Sequence, residues 1–233
     1  MTLLRSWWFR IPAALIVLIV VASLGWWFFV REDAELADAA PEVPKDLVSP
    51  TVVLGQGTTR FRIVAERSKA SYFAGETLAR VALPSTAQGI TEEIAGEFFL
   101  TASGLDPSQT SRFAVQLKNL KSGEAQRDRR VQETLATSRF PETTFIVTRV
   151  DGFPELVADE DRTFALVGRL SLHGVEKEVT WEVKARREGN VMTALATVTF
   201  RYDAFGITPP DIAGFVSVED EVTLQVEVVA TAE

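Results

Sequence analysis

The chain has 233 residues, 46% of them apolar, and a net charge of −8 from 32 acidic against 24 basic residues. That balance argues against nucleic acid or an anionic membrane surface as a partner, because both attract basic patches. With no cysteine and one histidine, the chain has no disulfide, thiolate metal site, thiol nucleophile or multi-histidine zinc site, and neither a metal nor a cofactor is expected.

Residues 1–10 read as a short cytoplasmic N-terminus carrying Arg5 and Arg10. The run from Ile11 to Val30 contains no charged residue. As a helix it spans roughly 30 Å, the thickness of a bilayer's hydrocarbon core. Trp7 and Trp8 stand before its apolar centre and Trp26 and Trp27 at its far end, as interfacial belts do. Basic residues precede the run, whereas Glu32, Asp33 and Glu35 follow it, so the remainder of the chain is expected outside the cytoplasm. The reading is a retained single-pass anchor over 11–30, in the cell membrane. The alternative is a signal peptide cleaved near Ala37-Asp38-Ala39 and a secreted product, but the apolar run is longer than such a segment usually is.

Residues 31–57 are acidic and contain Pro41, Pro44 and Pro50. This composition predicts a solvated linker, which as a flexible chain spans roughly 30 Å.

From residue 58 to 233 the dominant signal is alternation. In Val175–Arg186, Val175, Val179, Trp181, Val183 and Ala185 share one face and Glu176, Glu178, Glu182 and Lys184 the other. The same pattern recurs in Thr163–Leu172, in Met192–Tyr202 and in Val216–Val228, where Val222, Leu224 and Val226 oppose Glu221, Thr223 and Gln225. One dry face and one wet face predict antiparallel strands. His173-Gly174 and Glu188-Gly189-Asn190 join them at hairpin length. Earlier strands are predicted at 59–65, 68–76, 92–101, 112–117 and 143–150, and one helix at 124–136, where Val131 and Leu135 fall on one face before Pro141. Eight or so antiparallel strands with one short helix make an all-β domain, a barrel or a sandwich, and the successive hairpins favour the barrel.

An ordered set of short motifs then points to a family. Asp106–Leu117, Leu120-Lys121-Ser122, Arg127-Asp128, Leu135, Phe140-Pro141-Glu142-Thr143-Thr144-Phe145, Gly168–Val175, Phe205-Gly206-Ile207 and Val218–Val222 together resemble the YceI-like family over residues 58–231. The resemblance implies an exported lipocalin-like eight-stranded antiparallel barrel whose cavity holds a long polyisoprenoid chain, with no catalytic residues. Two features depart from the family's pattern. The stretch Ala65–Tyr72 lacks the histidine of a histidine-serine pair, and Ala204 separates Asp203 from Phe205.

The residue chemistry agrees with an apolar ligand. The residues expected to line the interior are Tyr72, Phe98, Phe113, Val115, Phe145, Phe164, Leu166, Leu170, Trp181, Val183, Phe200, Phe205, Val222 and Leu224. They suit a hydrocarbon chain and offer no purchase to a polar metabolite. The expected partners are thus a long-chain isoprenoid or similar lipid and the membrane, and a homodimer is left open. The competing reading is a ligand-free sensor or protein-interaction module whose inner side chains close on one another.

His173 is expected to stabilise its turn by a hydrogen bond. Arg127, Arg129 and Arg130 could grip a phosphate, although a solvated helix face is their commoner role. Asp220 falls on an apolar face and needs a partner or a place at the mouth, and the Trp181 indole is expected near the rim. Glu219, Asp220 and Glu221 alternate in direction and make no carboxylate pair, so an enzyme is not expected.

Overall fold

The alternating runs become antiparallel strands because each buries one face and solvates the other. In the computed structural model the described residues are 34–49, 57–78, 83–101, 104–209, 211–212 and 216–233. The predicted anchor at 11–30 lies outside them. The strands are β1 (Thr59–Ile63), β2 (Lys69–Leu78), β3 (Leu83–Thr91), β4 (Ile94–Thr101), β5 (Gly104–Leu105), β6 (Arg112–Gln116), β7 (Glu142–Asp151), β8 (Arg162–Leu172), β9 (Val175–Glu188), β10 (Val191–Arg201), β11 (Asp211–Ile212) and β12 (Val216–Ala232). One helix, α1 (Ala125–Thr134), lies between β6 and β7.

Eight staves close into a barrel. The sheet runs β1-β4-β6-β7-β8-β9-β10-β12, and β12 pairs with β1 to complete the ring. The β2–β3 hairpin prolongs the first two staves. Arg62 faces Glu97 in β1–β4, and Ala70 faces Thr91 in β2–β3, so a single long hairpin is interrupted once. The interruption is a 3-10 turn over Ala65–Arg67. The buried Ser68 hydroxyl bridges it, donating to the Val64 carbonyl and accepting from the Val229 N–H, both at 2.9 Å. The strand β3 was not predicted. Pro84 and Gly89 with few large apolar residues hide it, and its place is set by pairing with β2 along its whole length.

Two turns show why their residues are needed. His173 and Gly174, with φ of 53° and 77°, form the tight β8–β9 connection, which favours positive φ at both positions. At Gly168 a Cβ would stand 2.3 Å from the Ile146 carbonyl oxygen and 2.6 Å from the Phe145 ring, so the missing side chain lets that ring lie along the inner wall.

The lower half of the barrel is sealed by its own side chains. Phe61, Ile63, Leu100, Val183, Ala185, Met192, Ala194, Val228 and Ala230 are all buried there in one cluster. A chain of rings follows the inner wall: Phe61–Phe98 at 5.1 Å, Phe98–Phe113 at 6.0 Å, Phe113–Phe145 at 6.5 Å and Phe145–Trp181 at 5.9 Å between centroids. Offset and edge-on contacts at these spacings are favourable for aromatic quadrupoles.

Residues 34–49, expected to be solvated, instead lie as a strap along the outer wall. The cause is an apolar stripe, Val191 and Val229, which Val43 covers with Leu47, Val48 and Val64 around it. Polar contacts fix the strap along its length. The Gln225 amide both accepts from the Ala37 N–H at 2.9 Å and donates to its carbonyl at 2.8 Å. The Lys184 ammonium donates to the Asp38 carbonyl at 2.7 Å, and the Ser49 N–H donates to Asn190 Oδ1 at 2.5 Å. Asp161 accepts from the Ala40 N–H at 2.9 Å and from Arg186 Nε at 2.7 Å.

Burial alone would raise the Asp161 carboxyl, but the Arg186 and Ala40 hydrogen bonds prevail and hold it below its ordinary range. A lowered folded value stabilises the fold above the unfolded carboxylate pKa, and the contribution is lost as pH falls through the folded one. The strap should therefore loosen below about pH 4. The protection factor of the Ala40 amide, its exchange rate measured against the intrinsic rate at the same pH, should fall there, and in an Asp161→Asn variant it should no longer change across that pH range. A protection factor at Ala40 that stays constant with pH in the parent protein contradicts the clasp.

Candidate functional site

Above the sealed half, the inward side chains are not all covered. Tyr72, Phe113, Val115, Leu166, Ala196, Phe200 and Leu224 pack on the core cluster yet stay partly accessible. Phe98, Phe145, Phe164, Leu170, Trp181, Val183 and Phe205 are buried in the same cluster. Val222 is buried in the row between Phe200 and Ala74. Thirteen of the fourteen residues expected at the interior thus pack in or against one core cluster, some buried and some partly accessible, and Val222 is buried outside it.

The wall is not uniform. Strands β9 and β10 pair from Glu188/Val191 as far as Glu182/Thr197 and no further. Beyond that point β9 stays with β8 and β10 with β12, and the two part. A 3-10 turn, Tyr202–Phe205, folds over the split. Phe205 and Ile207 are almost wholly buried there, Phe205 edge-on to Phe200 at 4.8 Å. The Phe205 carbonyl lies 3.3 Å from His173 Nδ1, so the hydrogen bond expected to stabilise the histidine's own turn is made to this plug instead. Helix α1 covers the upper end, with Val131 and Leu135 on the core as their spacing predicted.

A polar group sits among these apolar walls. Arg127 of α1 meets Glu76 of β2 at 3.4 Å. Tyr72 lies flat across Gly89, where a Cβ would stand 2.2 Å from its ring, and its phenol is within electrostatic reach of Arg127, Tyr202, Glu76 and Asp128. Of this group the sequence had marked Tyr72 and Arg127; Tyr202 and Glu76 were missed. Tyr202 closed an alternating run that predicted its inward face, but nothing local told that Glu76 would meet a helix some fifty residues later.

Three expectations need correction. Arg127, read more as part of a solvated helix face than as a phosphate clamp, is mostly buried and paired with Glu76. Asp220 has the partner it was expected to need, Arg201, which donates to it at 3.2 Å, but it is exposed and not on the apolar face, beside a register shift between Val218 and Val222. The Trp181 indole is not at the rim. It is 5% exposed, and its N–H has no acceptor among the described residues. An unmatched buried donor costs about 1–3 kcal/mol, which a bound acceptor or water would remove.

Comparison with known proteins adds the relatives. A family model for the YceI-like domain matches residues 61–230. The UPF0312 protein of Pseudomonas putida (strain W619) is 32% identical over 112 residues, covering 44% of this chain and 55% of that protein. The chain thus matches about half the length of this curated relative. Among solved structures, BcnA of Burkholderia cenocepacia superposes with a TM-score of 0.58 at 16% identity, over 72% of this chain and 99% of that one. A polyisoprenoid binding domain from Saccharophagus degradans, implicated in plant cell wall breakdown, gives 0.56 at 13% identity, over 74% and 98%. At these identities the two structures speak for the shared fold.

Proposed function

The chain belongs to the YceI-like family, and from that premise we propose that its barrel holds a long apolar lipid of polyisoprenoid type, while residues 11–30 tether it to the membrane with the barrel outside the cytoplasm. The observation that carries the first part is that Phe113, Leu166, Phe200 and Leu224, inside a closed ring of strands, are only partly buried while the residues packed against them are buried. Side chains that face inward and are not covered leave room that an apolar chain can fill. The binding of a polyisoprenoid by the structurally similar domain supports the choice of ligand. Burial is worth about 0.8 kcal/mol per methylene, so a few isoprene units already reach micromolar affinity. The protein acts in this reading as a carrier or holder and not as an enzyme.

Two measurements test it. Affinity for a series of isoprenoid alcohols of rising length should strengthen with each buried isoprene unit, by up to about a thousandfold at 0.8 kcal/mol for each of its five carbons, and change little with salt, because the driving force is hydrophobic. Affinity that falls steeply with ionic strength and ignores chain length overturns the lipid reading. For the tether, an export-dependent reporter fused after Glu233 should be active. A reporter active only in the cytoplasm overturns the assigned compartment.

A further inference from the structure

The upper end of the barrel carries groups that a hydrocarbon cannot use. Tyr72, Tyr202, Glu76 and Arg127 converge there from β2, from the turn after β10 and from α1. Glu76 and Arg127 are mostly buried, with side chains 16% and 20% exposed, and they face each other. Neither tyrosine hydroxyl has a hydrogen-bond partner among the described residues. Burial, with Glu76 adding to it, pushes the Tyr202 phenol up to about 12, and burial likewise raises that of Tyr72. Both therefore stay protonated at neutral pH and can donate or accept.

The charge of the site decides what they can hold. The Arg127 cation is matched by Glu76, and the neighbouring Asp128 carboxylate accepts from the Ser122 N–H and hydroxyl at 2.8 and 2.6 Å. A phosphate would bring roughly 1.5–2 negative charges to a partly buried place where the facing cation, Arg127, is already paired with Glu76. A hydroxyl or carbonyl brings none and satisfies the phenols. We propose that Tyr72 and Tyr202 seat the polar end of the barrel's ligand and select an uncharged hydroxyl or carbonyl head over a phosphate. This rests on the lipid-holding reading above.

The test equilibrates the full chain in detergent with equimolar geranylgeraniol, geranylgeranyl phosphate and the head-group-free hydrocarbon phytane, and reads the bound masses by native mass spectrometry. The alcohol should exceed the phosphate by at least about tenfold and the hydrocarbon by severalfold, since each neutral hydrogen bond contributes roughly fivefold. Tyr72→Phe and Tyr202→Phe should each lower the alcohol about fivefold and leave phytane unchanged. Glu76→Gln frees Arg127 and should move the preference toward the phosphate. A parent protein that takes phosphate as well as alcohol, or Phe variants that keep the alcohol's advantage, overturns the head-group assignment while phytane binding still upholds the lipid cavity. If none of the three binds, the lipid reading falls and the assignment with it.

Discussion

Leu166→Asp should leave the protein unfolded or empty. Leu166 lies on β8 opposite Trp181 of β9, facing the interior. A carboxylate there faces Trp181 and the aromatic wall with no cation beside it on the paired strands. An unpaired charge in such surroundings costs at least about 3 kcal/mol, a large part of the 5–15 kcal/mol that holds a domain together. The urea midpoint should drop accordingly, and any folded fraction should come without lipid. Glu182→Lys is the matched control, because Glu182 is the next residue after Trp181 on the same strand, points outward and is exposed. It should change neither property. Lys184 is a poorer control, since its ammonium holds the strap. If Leu166→Asp is as stable and as loaded as the parent, the register is shifted by one residue and the faces are exchanged.

Removing the strap should be the second large effect. A chain starting at residue 34 keeps Val43 on Val191 and Val229, whereas one starting at residue 58 bares that stripe. Each apolar side chain returned to water loses about 1.5–3 kcal/mol, partly offset by the entropy the strap regains. The net loss should be roughly 1–3 kcal/mol, with self-association through the uncovered face. Comparing urea midpoints and sedimentation of chains 34–233 and 58–233 settles it. Equal stability and equal monodispersity mean that the strap lies on the wall without supporting it.

The strands were legible wherever one face is dry and the other wet. Val175–Arg186 and Val216–Val228 show this, and Phe164, Leu166, Trp181, Val183, Phe200 and Leu224 all face inward as their spacing predicts. Gln225 also points outward as predicted, yet is 4% exposed because the strap covers it. Outward and exposed are different properties, and only the first is written in a period of two. The strap itself was hidden because its few apolar residues follow no period; their meaning comes from Val191 and Val229, far away in sequence. The parting of β9 from β10 was equally silent, since both strands keep alternating through it. Near the upper end, the apolar residues that pack on the core could be read from their alternation, while the Tyr72–Tyr202–Glu76–Arg127 group depends on three elements meeting at one end of the barrel. The register shift beside Asp220 likewise leaves no mark that distinguishes it from a regular strand.

The central claim is that the upper half of the barrel holds an apolar chain, and the most direct measurement is the mass of the protein as it leaves the cell. The full chain, purified in a detergent that dissociates in the gas phase, is weighed under native conditions and then extracted with organic solvent. The account predicts one adduct per barrel, recovered in the extract as a long apolar molecule and depleted in the Leu166→Asp protein. A folded parent chain at its bare mass, with an extract free of lipid, contradicts the account and leaves the interaction-module reading in its place.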